Sequence, residues 1–158
     1  MLDHTAHPSG AHTEYELNCA LELLFYGYKG FTAQPDAILA ERGLARVHHR
    51  ILYFVGRQGG LSVNQLLAKL GVSKQALNAP LRQLQEAGLI TASPSEIDKR
   101  VKCLALTEEG IELEESLSGA QRTILDRVFA QCGPQAESGF KQVLGVLAKI
   151  TQADTAQS

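Results

Sequence analysis

The sequence predicts a mainly α-helical fold with one small β-hairpin. Three observations predict it. Apolar residues recur at three- and four-residue steps along most of the chain, a glycine corner joins two short helical segments in the middle, and the apolar runs Leu89–Ala92 and Val101–Leu106 flank a polar, charged turn. With 44% hydrophobic and 20% charged residues in 158, the composition is that of an ordinary globular protein with a real core.

Residues 1–12 carry His, Pro, Gly and small polar residues without periodicity, which predicts a mobile arm; they show no basic region followed by an apolar one, so no secretory signal is expected. Leu17, Ala20, Leu21, Leu24, Phe25 and Tyr28 then form one helical stripe expected to end near Ala33. Pro35 removes a backbone donor and fits a first turn, so a kink or restart is expected there before Ala37-Ile38-Leu39. After Gly43, the residues Leu44, Val47, Ile51, Leu52 and Val55 predict a further helix, stopped by Gly59-Gly60.

Ser62 with Gln65 three residues later is a capping-box pattern and starts a short helix carrying Leu66, Leu67 and Leu70. Gly71 supplies a tight turn, Val72 is expected to plug the angle between the helices, and Ser73 caps a second helix. Its core face is Leu77, Leu81 and Leu84, which leaves Lys74, Gln75, Asn78 and Arg82 on or near the opposite side. That is helix–turn–helix spacing. The hairpin follows Gly88, with its tip between Ser93 and Arg100, and Thr107 caps a long helix expected to reach about Gln131, opening in Glu108-Glu109. Gly133-Pro134 starts a last helix with Phe140, Val143, Leu144, Leu147 and Ile150, and residues 151–158 are expected to fray.

Charge divides along the chain. The net charge is −2, yet between Lys69 and Lys102 six basic residues (Lys69, Lys74, Arg82, Lys99, Arg100, Lys102) face three acidic ones (Glu86, Glu96, Asp98). Local charge governs binding to phosphate, so this segment suits nucleic acid. The apolar stretches are interrupted too often for a membrane span of roughly 20 residues, and a cytoplasmic location without membrane partners is expected. Cys19, Cys103 and Cys132 lack the spacing of a disulfide framework or metal site, and His48-His49 are neighbours rather than an i,i+4 clamp, so neither metal nor cofactor is expected. No Gly-rich phosphate loop, ligand cluster or nucleophile motif supports an enzyme.

Several segments together resemble the MarR family of bacterial regulators. Leu39-Ala40-Glu41-Arg42-Gly43-Leu44 is similar to the family's link into its second helix, Leu70-Gly71-Val72-Ser73-Lys74 to its helix–turn–helix corner, and Leu84-Gln85-Glu86-Ala87-Gly88-Leu89-Ile90 to the entry of its wing. Asp98-Lys99-Arg100 matches the acidic-x-Arg signature at the wing tip, and Leu106-Thr107-Glu108-Glu109-Gly110 opens the long helix. Two positions depart from the pattern: Ala79, where a basic residue is frequent, and Pro80, where an aliphatic one is, so a bend of the second helix is expected.

The resemblance implies a winged helix–turn–helix reader flanked by N- and C-terminal dimerisation helices. The implied boundaries are an arm at 1–12, dimerisation helices at 13–43 and 107–150, a DNA-binding domain at 44–106 and a tail at 151–158. It further implies a homodimer on a pseudopalindromic operator in double-stranded DNA, repression as the common mode, and release by a small aromatic effector.

Gln75 and Asn78 suit adenine edges, Arg82 guanine or phosphate, Ser73 and Lys74 phosphates; Arg100 enters the minor groove, aimed by Asp98, with Lys99 adding phosphate attraction. Each has an ordinary alternative as a cap, an exposed helix residue or a solvated hairpin tip. Tyr26, Tyr28, Phe31 and Tyr53, with His48, are the candidates for an effector cleft, against plain packing. Cys19 and Cys132 stand where the placement resembles that of peroxide-sensing members, against inert buried thiols. A winged helix serving as a protein-interaction adaptor is the rival function.

Overall fold

The computed structural model describes residues 12–155. The expected arm falls outside this range apart from His12, as do residues 156–158 of the tail. The chain divides into two compact units, Met1–Ala33 and Gln34–Ser158.

The first helix, α1 (Glu14–Glu41), begins in the first unit and ends in the second. Thr13 opens it with a reciprocal cap: its N–H donates to the Glu16 carboxylate at 2.8 Å, and its hydroxyl accepts from the Glu16 N–H at 3.3 Å. Leu17, Leu21, Leu23, Leu24, Phe25 and Tyr26 are all exposed on this unit. The restart expected at Pro35 does not occur, because the helix continues through a buried Pro35 to Glu41. Leu39, 1% exposed, and Ile38 pack into the core of the second unit, and that packing outweighs the single backbone donor that proline removes.

In the second unit Gly43 takes φ +65°, and the Leu44 N–H reaches back to the Leu39 carbonyl, closing α1. The next helix, α2 (Arg46–Arg57), buries Ile51, Leu52 and Val55, each side chain contributing about 1.5–3 kcal/mol by burial. A two-residue strand, β1 (Leu61–Ser62), leads into α3 (Val63–Leu70) and α4 (Lys74–Glu86). Then come β2 (Ile90–Pro94), β3 (Lys102–Leu106), α5 (Glu108–Cys132) and α6 (Pro134–Thr155), the last continuing past the expected end at 150.

The expected hairpin is one part of a three-stranded antiparallel sheet in the order β1-β3-β2. Leu61 pairs with Leu104 and Ser62 with Cys103, so the residue that ends β1 also caps α3. Ser62 Oγ accepts from the Gln65 N–H at 3.2 Å while the Gln65 side chain accepts from the Ser62 N–H at 2.9 Å. Gly71 closes α3 in the left-handed region at φ +63°. Val72 does not plug the corner but stands 39% exposed, whereas Leu66 and Leu77 are buried in the core. The α4 helix remains one helix through Pro80, with Leu77, Leu81 and Leu84 buried.

The wing is anchored at its base. Thr107 Oγ1 donates to the Gly88 carbonyl at 2.6 Å and accepts from the Gly110 N–H at 3.0 Å, while its backbone N–H donates to the Leu89 carbonyl. Gly110 permits this approach, since a Cβ there would lie 2.0 Å from the Leu89 carbonyl oxygen.

Candidate nucleic-acid interface

Two surfaces of the second unit meet at one cleft of ≈450 Å³. Its lining includes Asn64 from α3, Lys74 and Asn78 from α4, and Arg100 and Lys102 from the wing. The α4 helix brings its polar residues there because Leu77, Leu81 and Leu84 turn the opposite side inward. Ser73 Oγ accepts from the Ala76 N–H at 3.2 Å, so α4 starts at Lys74, and Lys74, Gln75, Asn78 and Arg82 are all exposed. A helix N-terminus with a lysine beside it is favourable for phosphate.

Arg82 approaches Glu86 at 3.7 Å, with both side chains more than 70% exposed. Such a pair holds little energy, and Arg82 is therefore readily redirected to a phosphate or base edge.

The wing tip is more constrained. The Asp98 carboxylate accepts from the Arg100 backbone N–H at 3.0 Å and from its Nε at 3.2 Å, while the Val101 N–H donates to the Asp98 carbonyl. Arg100 nevertheless leaves its guanidinium group in solvent, 91% exposed. Lys99 is exposed beside it, and Ile97, 98% exposed, is the apolar residue of the tip.

The structure thus brings Lys74, Asn78 and Arg100 onto one cleft and places Gln75 and Arg82 along the outer side of α4, where Gln75, Asn78 and Arg82 line a second shallow groove. Asn64 and Lys102 join the cleft without having been singled out from the sequence. Lys102 carried a signal in the basic run; Asn64, on the solvent side of α3, carried none.

The remaining candidates lie elsewhere. Tyr26 is 70% exposed and Phe31 half-buried on the first unit. On the second, Tyr53 is half-buried, edge-on to Phe54 at 5.3 Å and under the Arg57 guanidinium. His48 is buried, and both its ring nitrogens are hydrogen-bonded within the protein: Nδ1 with the Ala45 N–H, Nε2 with Gln83. Cys19 and Cys132 are exposed rather than buried, and Cys103 is half-buried in β3.

His49 forms a second polar link. Ser118, buried on α5, donates its hydroxyl proton to the Glu114 carboxylate and so accepts from His49 Nε2 at 3.1 Å. Burial holds the His49 pKa below its ordinary value of 6.5; Glu114 and Asp36 oppose the shift, and Arg50 adds to it.

A capped helix pair at a glycine corner, an exposed polar helix face and an arginine-tipped wing define a winged helix–turn–helix protein. A model of the MarR family matches residues 42–101, which span α2 to the wing tip. The chain is 45% identical over 132 residues to the HTH-type transcriptional regulator PetP of Rhodobacter capsulatus, covering 84% of this chain and 80% of that protein. Among solved structures it is similar to NadR in complex with 4-hydroxyphenylacetate, with a TM-score of 0.68 and 23% identity over 92% of this chain and 99% of that one. It is also similar to a variant of S. aureus MepR bound to an oligodeoxyribonucleotide, with a TM-score of 0.59 and 20% identity over 82% of this chain and 96% of that one. These structural likenesses establish the fold. The chain belongs to the MarR family: it is a DNA-binding transcriptional regulator and not an enzyme. Among the described residues no helix is long and apolar enough to cross a membrane.

Proposed function

We propose that the protein is a cytoplasmic homodimeric repressor that reads a pseudopalindromic operator in duplex DNA and is released by a small aromatic effector. The observation that carries the DNA-reading part is the shared cleft, where exposed α4 residues stand beside an arginine whose direction is set by Asp98. In this reading Gln75 and Asn78 bond base edges, Arg82 takes guanine or phosphate, Ser73, Lys74 and Lys99 hold phosphates, and Arg100 enters the minor groove. Residues 44–106 are the reader.

The helices at 13–43 and 107–150 form the dimer. Support comes from the exposed apolar side chains of the first unit and, on α6, from Val143, Leu144, Val146 and Leu147. Two reading helices related by a twofold axis demand half-sites about one helical turn apart. The effector reading is supported by the aromatic acid in the NadR complex; Tyr26, Phe31, His48 and Tyr53 are the residues to substitute one at a time against its action.

The test is selection from a pool of random duplexes at moderate salt, with Arg100→Ala as control. An enriched pseudopalindrome that the variant binds weakly supports the reading. No enrichment at any salt, together with salt-insensitive capture of a protein partner, makes the winged helix an adaptor instead. The exposure of Cys19 and Cys132 favours one variant within the regulator class, in which peroxide oxidises the Cys19 thiolate to a sulfenic acid and is itself reduced to water. Peroxide-induced release of DNA that survives Cys19→Ser would overturn that variant.

A further inference from the structure

The buried ring of His48 connects the corner before α2 to the reading helix. The Ala45 N–H donates to His48 Nδ1 at 2.9 Å, so in the neutral ring the proton is on Nε2. That Nε2 donates to Gln83 Oε1 at 2.9 Å, and the other end of the same amide donates from Nε2 to the Gly43 carbonyl at 3.3 Å. The three bonds form a closed, directional chain in which each donor meets an acceptor. Ala45 has no side-chain acceptor of its own, so His48 supplies the returning half of a cap and then continues outward to α4.

The position of Gln83 gives this chain a mechanical meaning. Consecutive residues lie about 100° apart around a helix, so Gln83 is displaced by that angle from Arg82 and faces the corner between α1 and α2 while Arg82 faces solvent. A bond at Gln83 opposes rolling of α4 about its own axis. A roll of about 10° would carry a side-chain tip ~6 Å from the axis through ~1 Å, more than a hydrogen bond to a base edge tolerates.

Rolling needs opposing here because Pro80 leaves the Ala76 carbonyl without its helical donor and loosens the junction between the two halves of α4. Leu81 and Leu84 hold the second half by packing, which is non-directional. Gln83 ties that half to other parts of the fold by directional bonds, whereas the Arg82–Glu86 pair stays within α4.

We propose that His48 is a positioning residue for sequence readout: through Gln83 it sets the roll of the second half of α4, and with it the register of Arg82 on the bases. This rests on the DNA-reading function above. The tether governs the preference for the operator over unrelated duplex, and leaves phosphate attraction untouched.

The experiment compares the dimer carrying His48→Asn, Gln83→Leu, both, or His48→Gln. Asparagine retains an acceptor for the Ala45 N–H but does not reach Gln83; glutamine restores a donor at the Nε2 position. Gln83 is an exposed residue, so its substitution opens no cavity in the core and removes only the bonds to His48 and Gly43. Affinity is measured for the duplex selected by the wild type and for an unrelated duplex of equal length. The expected result is a 5- to 10-fold fall in the operator-to-unrelated ratio for His48→Asn and for Gln83→Leu. The double variant should be no worse than either single one, His48→Gln should recover part of the ratio, and affinity for unrelated DNA should be unchanged.

An unchanged ratio in both single variants overturns the proposal, as does an equal loss on both duplexes, which would mean general disruption of the fold. Failure of the wild type to select any sequence overturns the DNA reading itself and the tether with it. Selection by the wild type with unaltered variants overturns the tether alone.

Discussion

Asp98 holds Arg100 at two points, through the backbone N–H and through Nε, both on the same carboxylate oxygen. The contact sets the direction of an arginine that is otherwise free in solvent. On the proposed interface an acidic group also repels phosphate, so its two effects oppose each other. Asp98→Asn is expected to leave affinity for unrelated duplex equal or higher while lowering operator preference several-fold. Arg100→Ala should weaken operator binding by about 1–3 kcal/mol and reduce the salt slope by about 1. Fluorescence anisotropy at three salt concentrations reads both, and identical behaviour of the two variants would sink the idea that Asp98 acts by aiming.

His49 makes stability depend on pH. Its folded pKa lies below the ordinary 6.5, so between the two values the unfolded chain binds more protons than the folded one. The contribution is complete above about 6.5 and is lost progressively as pH falls below it through the lower folded pKa. Urea midpoints measured between pH 8 and 5.5 should decline more for the wild type than for His49→Gln, and parallel curves would refute the assignment.

Gly110→Ala tests the joint between wing and α5. The added methyl would meet the Leu89 carbonyl oxygen at 2.0 Å, and that oxygen is already fixed by the Thr107 N–H. Relief requires backbone movement, and the expected cost is about 1–3 kcal/mol of stability or more. A denaturation midpoint equal to that of the wild type would show that the joint yields freely.

Pro80→Leu restores a backbone donor inside α4. An interior proline costs a helix about 3 kcal/mol, of which about 1 kcal/mol is returned by stiffening the unfolded chain; a net gain near 2 kcal/mol is expected. The altered second half should also change operator preference in the duplex selection. A more stable protein with unaltered preference would confine the effect of Pro80 to folding.

The local chemistry of the helix–turn–helix and wing is legible in the sequence alone. Ser62 with Gln65, Gly71, Ser73 and Thr107 each announce a helix end through contacts within four residues, the first, third and fourth through their side chains and Gly71 through its left-handed backbone. What escaped is non-local. Leu61-Ser62 is too short to show alternation and becomes a strand because β3 accepts it. His48 and Gln83 are 35 residues apart, and nothing near either one signals the other. Pro35 misled in the opposite sense: its break signal is genuine, but the burial of Leu39 beyond it prevails. Of the candidate interface, the residues of α4 and the wing tip could be named from periodicity and charge, whereas Asn64 becomes part of it because α3 and the wing face each other across a cleft.

Ser62 serves two masters, pairing its backbone with Cys103 at the end of β1 and capping α3 with its side-chain Oγ. A residue inserted or deleted between Leu61 and Gln65 would therefore break either the strand pairing or the cap, and a shift by one would turn Leu61 out of the core. Between Ser95 and Val101, where the backbone bonds from the Ser95 N–H to the Val101 carbonyl and from the Val101 N–H to the Asp98 carbonyl are local to the loop, length can change without disturbing either the pairing or the cap. Variation in chain length is thus channelled to the wing tip, and descendants of this sequence can remodel how far the wing reaches while inheriting the helix pair intact.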